Sequence, residues 1–268
     1  MTPLISPAEL AGRLDEVVVC DIRWSLADPE HGHETYLRGH VPGAVFVDLD
    51  TDLAAPPGPA GRHPLPSTHD FAATLGSLGI GSDDEVVVYD DMANTVSARL
   101  WWMLRSIGHN AVKVLDGGYQ SWVASGGAVE TAEIDRPPRT YPTPARFMGV
   151  VDHQDLWSHV IVDARAAARY RGDFEPVDPK AGHIPGAINM PTSGNLDESG
   201  RFLGSDALAD RFRPLVKERV AVSCGSGVNA CHNALAMLIA GLEMPDVYVG
   251  SFSEWSRLDM PVVTGESP

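Results

Sequence analysis

Three cysteines stand in the 268 residues, Cys20, Cys224 and Cys231, and one of them has neighbours that could make it react. Cys224 ends the β-branched run VAVSC and is followed by Gly225, Ser226, Gly227, Val228 and Asn229 before an apolar segment of helical character begins. That order predicts a thiol just beyond the carboxyl end of a buried strand and ahead of a helix N-terminus, where open α/β sheets bind ligands. The two glycines let the backbone curl so that N–H groups converge on one point, and the helix start adds partial positive charge. A sulfur anion fits such a nest, and the thiolate is the nucleophilic form of cysteine. The alternative for any cysteine at a strand end is a small buried apolar residue; the Gly-x-Gly loop and the helix after it favour chemistry. Cys231, seven residues further on inside the apolar segment, reads as core packing, with a redox role left open by its nearness. Cys20 lies within a strand and reads as core.

An internal repeat must position this loop. VVVCDIRW followed by YLRGHVPGAVFVDLD in the first half matches VIVDARAAARYRG followed by KAGHIPGAINMP in the second. Further on, EVVVYDDMANTVSARLWWMLRSIGH pairs with RVAVSCGSGVNACHNALAMLIAGL, and VLDGGYQSW with VYVGSFSEW. Each block is a short β-branched run leading into a loop or helix, the pattern of parallel sheets covered on both faces by helices. The fold class expected is therefore α/β, two tandem copies of one domain. The repeat lapses where Pro137, Pro138, Pro142 and Pro144 cluster, so the domains are expected at 1–128 and 147–268 with a linker at 129–146. In this alignment Cys224 falls opposite Asp90, so one half alone carries the thiol. His40 and His183 recur in both halves at the GH(V/I)PGA turn, which argues for a structural role.

Composition narrows the partners. The apolar fraction of 44 % and charged fraction of 21 % suit a chain that buries a core. A formal charge of −16 argues against nucleic acid. No apolar run long enough to span a membrane and no leader-like N-terminus stand out, and an odd cysteine count suits a reducing compartment, so no membrane association and a cytoplasmic location are expected. An anionic substrate would need a local positive field, which draws attention to arginines near Cys224.

On these motifs the chain resembles the tandem rhodanese sulfurtransferases, the family of thiosulfate and 3-mercaptopyruvate sulfurtransferases, over essentially its whole length. The carriers are GHVPGA, GHIPGA, the DAR strand end, the C-terminal cysteine loop and the Asp in place of cysteine in the first half. The loop CGSGV, free of basic residues, looks like the mercaptopyruvate branch. The resemblance implies two tandem rhodanese-like domains, the first inactive and the second catalytic. It implies that Ser226, His63 in RHPLP and Asp50 in FVDLD form a relay with Cys224, and that Arg169 holds the substrate anion, with Gly225, Gly227, Val228 and Asn229 as the binding loop. Without it, His63 reads as a solvated loop residue and Asp50 as a cap. The chain departs from the family where Val177 and Asp178 stand in place of a second substrate arginine; Arg171 and Lys180 are the nearby basic residues that could replace it. Asn229 likewise stands where Thr or Ser is usual.

The expected reaction moves sulfur from 3-mercaptopyruvate to a thiol such as thioredoxin, or to cyanide, through a Cys224 persulfide, with no metal or organic cofactor. Thiosulfate as preferred donor is the first alternative, and a sulfur-relay module without turnover of small donors another. A phosphatase is disfavoured because no arginine stands between Cys224 and Arg257 to clamp a phosphate.

Overall fold

The β-branched runs fold as strands whose burial shows cover on both faces. In the computed structural model, which describes residues 2–267, the first half contains β1 (Leu4–Ile5), α1 (Pro7–Ala11), β2 (Val18–Asp21), α2 (His31–Arg38), β3 (Val45–Phe46), α3 (Thr68–Ser77), β4 (Val86–Tyr89), α4 (Ser97–Ser106), β5 (Val112–Leu115) and α5 (Gly118–Ala124). The second contains β6 (Val150–Val151), β7 (Val160–Asp163), α6 (Ala167–Arg171), β8 (Ile188–Asn189), α7 (Ser205–Phe212), β9 (Val220–Ser223), α8 (Ala230–Ile239), β10 (Asp246–Tyr248) and α9 (Ser251–Trp255). Every residue of β2, β4 and β9 is buried, as central strands of a covered parallel sheet must be. The sheet orders, β1-β5-β4-β2-β3 and β6-β10-β9-β7-β8, are one topology used twice, and the named strands pair in parallel. The expected α/β fold with two tandem domains is the one observed. Among the described residues no helix is long and apolar enough to cross a membrane.

Two compact units divide the chain, with segments placed out of sequence order. Unit 1 holds residues up to Ala54, Pro66–Met148 and Glu198–Arg201; unit 2 holds Ala55–Leu65, Gly149–Asp197 and the residues from Phe202 on. The stretch 129–146, expected as a linker, lies along unit 1: Glu130 pairs with His40, Arg139 bonds Asp83 and Asp84, and Tyr141 bonds His109. Residues 55–65 pack in unit 2 because Gly61, with φ of +110°, brings its backbone against Gly250, where a side-chain carbon would fall 2.9 Å from the Gly250 carbonyl. The Arg62 amide then donates to Ser253 Oγ at 3.1 Å.

Each unit is braced by the same buried strut. Arg23 pairs with Asp21 at 2.6 Å and donates to the Gly39 carbonyl at 2.8 Å; Arg165 pairs with Asp163 at 2.7 Å and donates to the Gly182 carbonyl at 2.7 Å. A buried arginine is tolerable only when its donors are satisfied, and here they tie a strand end to the Gly-His turn. His40 and His183 are buried, stack on Tyr36 and Tyr170, and donate Nδ1–H to the carbonyls of those tyrosines. They are structural, as their recurrence suggests.

The loops after β4 and β9 differ in what fills them. In unit 1 the Asp90 carboxylate accepts the backbone N–H groups of Met92, Asn94, Val96 and Ser97 at 2.7 to 2.8 Å, so the nest is filled by the chain's own anion. Burial pushes the Asp90 pKa up, against those four amides. Asp90→Ala leaves the amides without an acceptor and is expected to cost about 3 kcal/mol, measured by urea unfolding followed through unit 1 tryptophans; an unchanged midpoint would show that the loop does not depend on the carboxylate.

Candidate active site

Cys224 follows β9 directly, and its side chain is buried, with 3 % of the residue exposed. The Gly227 N–H points at Cys224 Sγ from 3.2 Å. Gly227 has φ of +77° and lies so close to Val249 that a side-chain carbon would fall 2.3 Å from its carbonyl oxygen, so glycine is required there by conformation and by space. Val228 is buried, and the loop runs into α8 through Asn229, whose side chain faces solvent and makes no cap to the helix. Cys231 lies buried on α8 and donates to the Gly227 carbonyl at 3.4 Å, bracing the loop from behind.

Ser251 fixes the other side of the cysteine. Its hydroxyl accepts the Cys224 N–H at 3.1 Å and donates to the Tyr248 carbonyl at 2.7 Å, while the Phe252 amide donates to the Cys224 carbonyl at 3.0 Å. Ser251 holds φ of +52°, a left-handed conformation that glycine adopts more readily, and Gly118 occupies the equivalent place in unit 1 with φ of +60°. Accepting that conformation in a residue with a side chain supplies the hydroxyl. Sequence reasoning did not single out Ser251, although the pairing of DGGY with VGSF marks it as a serine in a glycine position.

His63, carried on residues 55–65 of unit 2, is buried, and its Nδ1 lies 2.8 Å from Ser226 Oγ. The structure thus joins two of the expected relay residues two positions from Cys224. Asp50 belongs to unit 1, where its carboxylate accepts the Trp24 indole N–H at 2.8 Å.

Arg169, on α6, grips Glu175 with Nε at 3.1 Å and Nη2 at 2.6 Å, and reaches Asp178 at 3.2 Å. The Asp178 side chain, fully buried, also receives Arg62 Nη1, with Arg257 at 3.8 Å. A side-chain carbon on Gly225 would stand 3.0 Å from Arg62 Nη2 and 3.5 Å from Arg169 Nη1, so both guanidinium groups flank the residue after the cysteine. With the Arg165–Asp163 strut, which also touches Glu175, four arginines face three carboxylates, an excess of one positive charge in a chain of net −16. The suggested substitutes for a second arginine do other work: Arg171 pairs with Asp173 at 2.7 Å, and Lys180 donates to the Leu258 and Met260 carbonyls. The basic residue that stands beside the loop together with Arg169 comes from position 62.

A buried thiol facing a loop N–H, a histidine on a neighbouring hydroxyl and two guanidinium groups beside the loop are together able to bind an anion and to carry covalent chemistry on sulfur. Comparison with known proteins agrees with that chemistry. A model described as the rhodanese-like domain matches residues 6–125 and again 150–258. A Pseudomonas aeruginosa protein provisionally named 3-mercaptopyruvate sulfurtransferase is 40% identical, over 98% of this chain and 98% of its own. A Mycobacterium tuberculosis protein provisionally named thiosulfate sulfurtransferase SseB is 41% identical, over 94% and 93%. The crystal structure of SseA from Escherichia coli, a 3-mercaptopyruvate sulfotransferase, superposes with a TM-score of 0.81 at 30% identity, covering 95% of this chain and 100% of that one.

Glu175 gives the arginine cluster a pH signature. Burial alone raises its pKa, but the Arg169 hydrogen bond, the Asp178 and Val177 amides and the Arg169 charge outweigh burial and leave it below the usual glutamate value. A depressed carboxylate stabilises the fold above its unfolded pKa and loses that contribution as pH falls through the folded value. Glu175→Gln is therefore expected to lower Tm at neutral pH yet flatten its fall below about pH 4.5, read by thermal melts across pH. An equally steep acid limb in the variant would refute this assignment.

Proposed function

The chain belongs to the rhodanese family of sulfurtransferases through both of its halves, and from that premise we propose that unit 2 transfers sulfur from 3-mercaptopyruvate, through a persulfide on Cys224, to a separate acceptor. The observation that carries the reading is the buried Cys224 sulfur held by the Gly227 N–H, with the His63–Ser226 hydrogen bond two residues along the same loop. Unit 1, with Asp90 in the equivalent nest, is the non-catalytic half.

In the first step the Cys224 thiolate attacks the donor sulfur. An S–S bond forms, the donor C–S bond breaks, and its electron pair leaves as the pyruvate enolate. The proton that the donor thiol brought, lost when the new persulfide ionises, ends on the enolate carbon, and Ser226 with His63 provides the route. Asp50 is the fourth relay member by resemblance. The persulfide anion extends into the loop formed by Gly225, Gly227, Val228 and Asn229, whose N–H groups and helix start favour negative charge. In the second step an acceptor thiolate, as on thioredoxin, or cyanide attacks the outer sulfur and releases Cys224 as thiolate. Each step is a displacement at sulfur and calls for no metal or organic cofactor, and the reducing conditions of the cytoplasm keep Cys224 available.

Thiosulfate is the second donor to weigh, because Val177 and Asp178 replace an arginine expected for mercaptopyruvate binding and one close relative is named for thiosulfate. Its leaving group, sulfite, departs already charged and takes no proton. The donors are thereby separable: His63→Gln is expected to lower kcat with 3-mercaptopyruvate about 100-fold and kcat with thiosulfate less than about threefold. A higher kcat/KM for thiosulfate than for 3-mercaptopyruvate in the wild type would overturn the first choice. Intact-mass spectrometry checks the intermediate. Wild-type protein given donor without acceptor should gain about 32 Da, one sulfur, and Cys224→Ser should gain nothing; an unchanged wild-type mass, or a gain by the variant, would refute the persulfide.

A further inference from the structure

We infer that Arg62 is the second anion-binding group of the site, closing with Arg169 on the carboxylate or sulfonate end of the sulfur donor. The inference rests on the reading of Cys224 as the sulfur-carrying thiol. Arg62 is not on the catalytic half of the sequence, yet its backbone is pinned in unit 2 by the Ser253 hydroxyl and by the close passage of Gly61 over Gly250. Its side chain is 18 % exposed and that of Arg169 22 % exposed, so both retain access to a ligand. Nη1 of Arg62 pairs with Asp178, Nη2 stands beside Gly225, and the buried Nε has no hydrogen-bond partner among the described residues. The Nη2 donor beside the loop that follows Cys224, on a side chain that keeps some exposure, is the group that an incoming anion would meet.

Asp178 explains how two guanidinium groups come to lie together. Its fully buried carboxylate takes Arg62 on Oδ1 and Arg169 on Oδ2, offsetting their mutual repulsion and fixing their planes. The position where a second arginine was expected therefore carries the carboxylate that recruits one from 116 residues away. Gly225 completes the arrangement, because any side chain there would meet both arginines.

Two measurements test this in the full chain. Arg62→Gln is expected to raise KM for 3-mercaptopyruvate and for thiosulfate about tenfold while kcat changes less than about threefold, as loss of ground-state anion binding requires. Apart from turnover, Cys224 is alkylated with iodoacetate and with the neutral iodoacetamide, and the ratio of the two rates, read by mass spectrometry, is expected to fall about fivefold in Arg62→Gln. Arg62→Lys keeps a charge against Asp178 but loses the planar fork, and is expected to show a smaller fall in the ratio with KM still raised. Should Arg62→Gln fail to fold, Arg62→Lys carries the comparison. Unchanged KM values and an unchanged alkylation ratio would overturn the inference. A falling ratio in a protein whose wild type takes no sulfur from either donor would support Arg62 as an anion site and refute the proposed function instead.

Discussion

Backbone N–H groups turned inward by a strand-to-helix loop must find an acceptor, and both halves of this protein are built around that requirement. In unit 1 Asp90 meets it with a carboxylate that takes four amides, and the loop is closed by a group that cannot leave. In unit 2 the same place is held by a sulfur atom, which engages the Gly227 amide at 3.2 Å. A sulfur is larger and more polarisable than a carboxylate oxygen, and it can be extended by one further atom. Exchange of one residue type thus converts a filled nest into one able to hold charge that arrives during a reaction.

The surrounding structure keeps that loop from relaxing. The Asp163–Arg165 strut fixes the end of β7 next to β9, and its guanidinium lies 3.9 Å over the Phe252 ring at the start of α9; Arg23 lies 4.5 Å over Tyr119 in unit 1. Phe252 and Ser251 in turn hold the carbonyl and the amide of Cys224. In unit 2 the strut also meets Glu175, which grips Arg169, so one chain of charged contacts runs from the sheet to Arg169. Buried ion pairs are costly to desolvate and seldom give net stability. Their persistence here is better explained by the geometry they impose.

Much of this was legible in the sequence because it is local or repeated. The β-branched runs, the Gly-His turns and the cysteine loop each depend on residues within a few positions, and the duplication let each half interpret the other. His63 came from family resemblance, and its approach to Ser226 is a long-range fact that no pattern around RHPLP contains. Arg62 and Asp178 were illegible for the same reason: their pairing spans 116 positions and depends on residues 55–65 packing in unit 2. A search confined to basic residues near the substitution at Val177 and Asp178 finds Arg171 and Lys180, whose partners lie elsewhere. Ser251 was hidden differently, since its backbone conformation is visible only once Gly118 is recognised as its counterpart.

The acidic composition makes the placement of those arginines more consequential. A net charge of −16 opposes the approach of an anion, and screening at physiological salt confines the influence of each charge to about 8 Å. Only charges beside the loop can therefore favour an anionic donor. Asp178 and Glu175 reduce the local positive charge, which would be self-defeating if attraction alone were at stake. What they add is orientation: a guanidinium held by a buried carboxylate presents its remaining donors along a set direction and has little conformational freedom left to lose on binding. Such a fork favours an anion at a fixed separation from the sulfur. In 3-mercaptopyruvate the carboxylate lies two carbons beyond the C–S bond that breaks, whereas in thiosulfate the charged oxygens sit on the atom bonded to the transferred sulfur. On the proposal that Arg62 meets the donor's anionic end, the preferred donor follows from where Asp178 holds Arg62 relative to Cys224.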